Sequence, residues 1–126
     1  MSKKRVLHVI SSIQGNQSYS VKLGAAIIDK INKKYPGSII EELNLSDIEI
    51  PHLNAKILTS LFMPTERLTD ESKKDTLLSD HFIQQVLDAD IIVIGAPLIN
   101  YTIHSSLKTG IDHITRPGIT FGYGED

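Results

Sequence analysis

Five hydroxyl side chains lie close together near the start of the chain, in a polar segment that also contains glycine, asparagine and glutamine. The segment is SSIQGNQSYS, and its hydroxyls belong to Ser11, Ser12, Ser18, Tyr19 and Ser20. A helix is predicted to begin at Ser18 or Ser20, and the first amides and the dipole of a helix favour an anion. Hydroxyls and main-chain amides can therefore hold a phosphate here without Lys or Arg. The alternative is a polar loop whose serines only cap the helix.

A second group of candidate ligand-binding residues follows the strongest strand pattern of the chain. The segment Pro97–Thr102 contains two aliphatic side chains, one amide and one aromatic ring: Leu98, Ile99, Asn100 and Tyr101. A planar heterocycle needs apolar or aromatic walls and a few fixed polar contacts, and Asn100 can supply one of these contacts. In the alternative interpretation Leu98 and Ile99 are core residues and Asn100 forms a turn.

Several other chemistries lack the residues that they need. There is no G-x-G-x-x-G, Walker or G-x-S-x-G motif and no acidic pair after the first strand. The chain has no cysteine, which excludes disulfides, thiolate metal sites and a catalytic thiol. The five histidines show no metal-ligand spacing. We expect His8 to be buried and hydrogen-bonded in a strand, and His113 to lie at the surface.

Buried strand patterns alternate with helical patterns along the chain. Strands are predicted at Arg5–Ile10, Ser38–Leu43 and Ile91–Ala96; helices are predicted from Ser18 or Ser20 to Tyr35, around Ala55–Leu61, over Thr69–Leu87 and over Ser105–Ile114. This alternation predicts an α/β fold with a parallel sheet in the flavodoxin-like strand order 2-1-3. Ligands bind such sheets at the carboxyl ends of strands 1 and 3, which is where both candidate loops lie.

Apolar stripes and capping residues define the predicted helices. The first helix has Leu23, Ile27, Ile31 and Tyr35 on one side, and the helix over residues 69–87 has Leu78, Phe82 and Val86. Thr69 or Asp70 can cap the latter helix, and Thr102 or Ser105 can cap the helix over residues 105–114.

Composition narrows the partners and the compartment. The 126 residues are 40% hydrophobic and 22% charged, as in ordinary globular domains. A net charge of −2 gives no basic footprint for nucleic acid. No apolar run reaches the roughly 18–20 residues of a membrane span, and no signal peptide is recognisable. We therefore expect a cytoplasmic, single-domain protein without nucleic-acid or membrane partners.

Two long runs of residues resemble the bacterial FMN-dependent NADH-azoreductases, which are flavodoxin-like quinone reductases formerly labelled in some cases acyl carrier protein phosphodiesterases. The runs are VLHVISSIQGNQSYS and ADIIVIGAPLINYTIHSSLKTGIDHITRPGITFGY. The resemblance extends from about Arg5 to Tyr123, and its second run is the more specific part. The former phosphodiesterase label has no support in the residues, which include neither a metal cluster nor a nucleophile–base pair.

The resemblance implies a noncovalent FMN site made of both candidate loops. By their position in the family pattern, the residues implied to bind the phosphate are Ser12, Ser18, Tyr19 and Ser20. The second loop is implied to lie against the isoalloxazine ring. In the family this loop usually has the sequence Met-Tyr-Asn-Phe. Here Asn100 is kept, Tyr101 preserves an aromatic ring, and Leu98 and Ile99 depart from the pattern. These departures imply altered stacking on the flavin.

The same resemblance implies a ping-pong reaction, in which NADH or NADPH reduces the flavin and a quinone or azo compound then takes the electrons. It also implies a homodimer with FMN sites near the interface. No side chain stands out as a general acid, so no catalytic residue is assigned. Two other interpretations stay open: a flavodoxin-type electron carrier, which the low net charge disfavours, and an inactive flavin-free fragment.

The family pattern is longer than this chain. A flavodoxin-like three-layer sandwich has five strands, and at roughly 30 residues per βα unit two more units need about 60–70 residues. We expect a shortened form of the domain, in which residues 1–126 are the N-terminal portion, strands 2-1-3 are present and strands 4 and 5 are missing. Weak FMN affinity is expected as a result.

Overall fold

The computed structural model describes residues 2–124. Within that range a parallel sheet has the order β2-β1-β3, where β1 is Arg5–Ile10, β2 is Ile39–Asn44 and β3 is Ile91–Gly95. Each strand lies within one residue of its predicted bounds. The predicted α/β fold and strand order 2-1-3 are therefore confirmed.

Four α-helices connect and cover these strands in the same part of the chain: α1 is Tyr19–Lys34, α2 is Ala55–Phe62, α3 is Asp70–Asp88 and α4 is Ser105–Ile114. Thr69 caps α3, since its side chain accepts a hydrogen bond from the Ser72 amide. At α4 the predicted caps, Thr102 and Ser105, are wrong. His104 caps this helix, because its ring Nδ1 accepts from the Ser106 amide at 3.1 Å.

The main hydrophobic core lies between the sheet and the helices α3 and α4. Leu7 and Val9 of β1 pack there with residues from four other parts of the chain: Leu43, Leu45, Phe82 and Leu107. The predicted α3 stripe faces this core, with Phe82 fully buried and Leu78 and Val86 packed against it. Burying each such side chain stabilises the fold by roughly 1.5–3 kcal/mol relative to exposure.

Helix α1 covers the other face of the sheet, and glycine brings it close. A Cβ at Gly24 would lie 2.5 Å from Nε2 of His8 in β1, so only glycine permits this approach. The predicted α1 stripe is partly wrong. Ile31 and Tyr35 are half-buried, but Leu23 and Ile27 are exposed, because the helix presents Gly24 to the sheet.

Both histidine expectations need correction. His8 is buried as predicted, yet its Nε2 has no hydrogen-bond partner among residues 2–124, because the ring lies against α1 at Gly24. His113 is fully buried rather than at the surface. Its Nε2 lies 2.8 Å from the Pro51 carbonyl oxygen, and its own carbonyl accepts from the Ser79 hydroxyl of α3. The inward side of α4 therefore includes this ring.

The outer edge of β3 pairs with no strand in the described part of the chain. Ile92 and Ile94 project from the α4 side of β3 and are exposed. They border an apolar cavity of about 100 Å³ that separates β3 from α4. This edge is therefore one of the apolar surfaces that the described residues leave uncovered.

None of the described helices is long and apolar enough to cross a membrane. Residues 2–124 also contain no group of three or more His, Asp or Glu side chains arranged to hold a metal ion.

Candidate functional site

The two candidate loops meet at the carboxyl ends of β1 and β3. Ser11 directly follows β1 and is fully buried, and its hydroxyl donates to the carbonyl oxygen of Gly95 at 2.8 Å. A Cβ at Gly95 would contact the Ser20 carbonyl oxygen at 3.6 Å, so the start of α1 lies against the end of β3. The loop before α1 and the loop after β3 are thus adjacent.

The first loop turns tightly before it enters α1. Gly15 has φ +57° and begins a short 3-10 turn, Gly15–Gln17. The Ser12 side chain is buried, and its oxygen accepts from the Gln14 amide at 3.1 Å. A left-handed residue at the start of this turn suits glycine, and the turn brings the two ends of the serine-rich segment together.

The first turn of α1 has amides that no side chain caps. Ser18 has the extended conformation of an N-cap, but its hydroxyl makes no capping bond and lies 2.8 Å from the Ser20 hydroxyl instead. The Lys22 amide is the first to bond back, to the Ser18 carbonyl. The preceding amides of a helix have no intrahelical acceptor, so this turn can bind an anion. Ser18 is therefore the N-cap residue by position, as predicted, but its side chain does not bond to the amides of the first turn.

Tyr19 is the first residue of α1, and its ring is exposed rather than packed against this turn. Its side chain is 86% exposed, and the Lys22 ammonium lies 5.5 Å from the centre of its ring. A cation over an aromatic face is a favourable pair. The pair places a positive charge beside the start of α1.

The second loop contains a strained turn. Ile99 and Thr102 exchange both backbone hydrogen bonds, at 2.8 and 3.0 Å, and the residues between them have positive φ, 48° for Asn100 and 68° for Tyr101. Two consecutive positive φ values are the pattern of a type I′ turn, which favours Asn-Gly. Tyrosine in the left-handed region costs free energy, and such strain concentrates at ligand sites.

The side chains of this loop face solvent. Tyr101 is 96% exposed and Leu98 is 73% exposed, so the interpretation of Leu98 as a core residue is wrong. Ile99 is half-buried, and Asn100 does form a turn. An exposed aliphatic residue and an exposed aromatic ring beside an uncapped helix start can cover a flat, anionic ligand.

Ser11, one of the five candidate hydroxyls, joins the two loops, which is a role that the sequence analysis did not predict. The bond from its hydroxyl to the Gly95 carbonyl fixes one loop relative to the other. Its position directly after a buried strand was the available signal, because a hydroxyl there must find a backbone acceptor.

The sequence profile of a family described as having a flavodoxin-like fold matches residues 4–126. The chain belongs to this flavodoxin-like family. The resemblance stated from the two sequence runs is thereby confirmed for the fold.

Curated relatives of this flavodoxin-like chain have a common name. The chain is 36% identical over 119 residues to the FMN-dependent NADH:quinone oxidoreductase of Herminiimonas arsenicoxydans. This match covers 94% of the chain and 58% of the relative. It is 38% identical over 120 residues to a protein of the same name from Methylorubrum extorquens, covering 95% and 59%. The chain therefore spans about 60% of the length of these relatives.

Solved structures agree with the sequence comparison. An azoreductase from Bacillus anthracis strain Sterne has a TM-score of 0.85 and 33% identity, covering 98% of this chain and 60% of that one. An FMN-dependent NADH-azoreductase from Bacillus anthracis strain Ames Ancestor, solved in complex with FMN, has a TM-score of 0.75 and 27% identity, covering 94% and 59%. The flavodoxin-like chain thus shares its fold with azoreductases.

Proposed function

We propose that this chain binds FMN noncovalently and belongs to an NADH- or NADPH-dependent oxidoreductase acting on quinones and azo compounds. The observation that carries the proposal is the uncapped start of α1 beside the strained Asn100-Tyr101 turn. The names of the relatives support it, since they use FMN and NADH and act on quinones. So does the azoreductase solved with FMN.

The residues present suit both ends of this cofactor. The phosphate would lie on the free amides of α1 with the hydroxyls of Ser12, Ser18 and Ser20, and Tyr19 with its paired Lys22 would border it. A helix start of this kind holds a phosphate without a basic side chain in direct contact. The four residues of the second loop would lie against the flavin ring: Leu98, Ile99, Asn100 and Tyr101.

Bound FMN would supply hydride transfer between the nicotinamide and the acceptor. The chain's own residues orient and shield the cofactor. Leu98 and Tyr101 supply apolar surface that excludes water from one side of a flat ligand. The Asn100 side-chain amide can donate and accept a hydrogen bond at a ring edge. We assign no catalytic side chain, so the protons of the reaction come from water or from the cofactor.

The proposal also includes the compartment of the protein and its association with a second copy. We place the protein in the cytoplasm, because NADH and NADPH are available there. We also propose that a second copy of the chain takes part, as expected for azoreductase-like proteins.

A flavin titration tests the proposal. FMN fluorescence and the visible flavin spectrum are followed as the purified protein is added, with riboflavin as the ligand that lacks the phosphate. We expect weak but saturable binding that prefers FMN. No spectral change at any protein concentration would contradict it and favour the flavin-free fragment.

A second measurement separates an enzyme from an electron carrier. NADH and then a quinone are added to the FMN complex without oxygen, and absorbance is recorded. The enzyme proposal expects rapid bleaching by NADH and recovery of the flavin spectrum with quinone. If the FMN complex is bleached neither by NADH nor, in a parallel experiment, by NADPH, the enzyme proposal is refuted and the carrier interpretation is left.

A further inference from the structure

A cleft of about 360 Å³ lies between α1 and the part of the sheet that β1 and β2 form. The residues that line it fall within residues 8–44 and come from β1, the Gly15–Gln17 turn, α1 and β2. It includes none of the side chains proposed above to hold FMN. Pockets for small molecules usually measure about 300–1,000 Å³, so this cleft can hold a compact organic molecule.

The walls of the cleft are mostly aliphatic. Helix α1 contributes Val21, Ala25 and Ile28, and the sheet contributes Ile10 and Ile40. The three α1 residues are spaced by four and three positions, which places them on one face of the helix. Ile40 is 40% exposed, so part of this apolar surface is still accessible. A ligand of the cleft therefore needs an apolar body.

Glu42 gives this apolar cleft a negative charge. Its side chain is exposed and lines the cleft, and among residues 2–124 it forms no ion pair. The residues lining the cleft include no lysine or arginine. The carboxylate is therefore not balanced by a cation within the cleft.

The polar neighbour of Glu42 does not satisfy it either. His8 lies opposite Glu42 in the register of β1 and β2, and it lines the same cleft. Its Nε2 is buried against Gly24 and has no partner in the described part of the chain. The carboxylate thus remains available to a hydrogen-bond donor that enters from solvent.

We propose that this cleft binds an organic cation, which is a primary ammonium or guanidinium group carried on an apolar body. The cationic group donates charge-assisted hydrogen bonds to Glu42, and the apolar body packs between Ile28 and Ile40. A neutral ligand would leave the carboxylate without a counter-charge, and an anion would be repelled by it. This inference does not depend on flavin binding.

Two small molecules of the same shape test the requirement for charge. Phenethylamine is a cation near neutral pH, and phenethyl alcohol is its uncharged counterpart. Binding is followed by the NMR shifts of the backbone amides of the whole chain. We expect the amine to bind at least roughly three times more tightly, the scale of one exposed ion pair, with the shifts centred on α1 and β2. Equal affinities, shifts centred elsewhere, or no binding of either probe would overturn the proposal.

A glutamine at position 42 tests the role of the carboxylate. Glu42→Gln keeps the size of the side chain and removes its charge, so the two probes should then bind about equally. Glu41→Gln is the matched control, because Glu41 points to the other face of β2 and accepts from Gln85 at 2.7 Å. It should keep the preference for the amine. A preference that survives Glu42→Gln would contradict the proposed contact.

Filling the cleft tests its location. Ala25 and Ala26 are neighbours in α1 and both are exposed, but only Ala25 lines the cleft. Ala25→Trp should abolish the binding of both probes, whereas Ala26→Trp should leave it unchanged. The dispersion of the amide spectrum shows whether each variant is folded. If a folded Ala25→Trp variant binds the amine as the wild type does, the site lies elsewhere.

Discussion

Tyr101 combines an unfavourable backbone with a ring that has almost no contacts. Its φ of 68° lies in the left-handed region, and its side chain is 96% exposed. Strain of this kind persists only where the surrounding structure imposes it, and here the two hydrogen bonds between Ile99 and Thr102 close the turn. A ring held outward at a cost in stability suits a role in ligand binding rather than in folding.

Replacing Tyr101 with glycine should therefore raise the stability of the protein and lower its affinity for FMN. Relief of left-handed strain is worth roughly 1–2 kcal/mol, offset by roughly 0.5–1 kcal/mol for the greater backbone entropy of glycine. The free energy of unfolding in urea should rise by up to about 1.5 kcal/mol. Tyr101→Phe, which keeps the ring, should change neither property much. A less stable glycine variant would show that the ring supports the fold.

Ser18 offers a second residue-scale test, because its hydroxyl does not cap α1. Ser18→Ala should lower the free energy of unfolding by less than the about 1 kcal/mol typical of a lost N-cap. It should weaken FMN much more than riboflavin, since only FMN carries the phosphate. Thr59→Ala is the control, because Thr59 is exposed on α2 and bonds only within its own helix. Equal weakening of both flavins would contradict a phosphate role.

At the scale of elements, the contact between Gly24 and His8 sets how closely α1 approaches the sheet. Gly24→Ala should lower the free energy of unfolding by roughly 1–3 kcal/mol, as overpacked cores do, because the added Cβ would meet His8 Nε2 at 2.5 Å. Urea unfolding measures this change. Gly110→Ala is the matched helical control and should cost less, since its Cβ meets a flexible Leu45 methyl at 3.2 Å.

A smaller side chain at position 8 should rescue the Gly24 variant. His8→Val removes the ring that the new Cβ would meet, and coupled neighbours give non-additive changes in stability. The double variant Gly24→Ala with His8→Val should therefore be more stable than the sum of the single changes predicts. Strict additivity would mean that the two residues do not limit the approach of α1.

Local patterns predicted the elements because each pattern is a property of neighbouring residues. The apolar run of β1 and the Leu78-Phe82-Val86 stripe of α3 needed no knowledge of distant contacts. The exposure of Leu23 and the burial of His113 depend on which side of a helix faces the rest of the fold. The contacts of Gly24 with His8 and of His113 with Pro51 decide this, and they join residues far apart in sequence.

In the candidate site, too, some features are local in sequence and others arise only in the folded chain. Serines before a helix and a turn after a strand were visible in the sequence. The positive φ of Tyr101, the missing cap at Ser18 and the bond from Ser11 to Gly95 are features of the folded backbone. Of these, the bond from Ser11 to Gly95 depends on the two loops meeting at one edge of the sheet.

At the scale of the whole molecule, the central strand of the described sheet is hydrogen-bonded on both sides and the outer strands on one side. β1 is paired on both sides, whereas β3 pairs only with β1 among the described residues. Amide hydrogen exchange should therefore be slowest in β1. Alternate amides of β3, those directed away from β1, should exchange faster than the amides of β3 that bond to β1. Exchange in β1 as fast as in β3 would contradict this expectation.

The central position of β1 also has a consequence during synthesis. This strand is the first part of the sheet to be made, yet one of its partners begins only at Ile91. At about 5–20 residues per second, a ribosome needs roughly 4–16 s to extend the chain from Ile10 to Ile91. During that interval the most apolar strand of the nascent protein has at most one partner, so β1 is the segment on which a ribosome-associated chaperone should act.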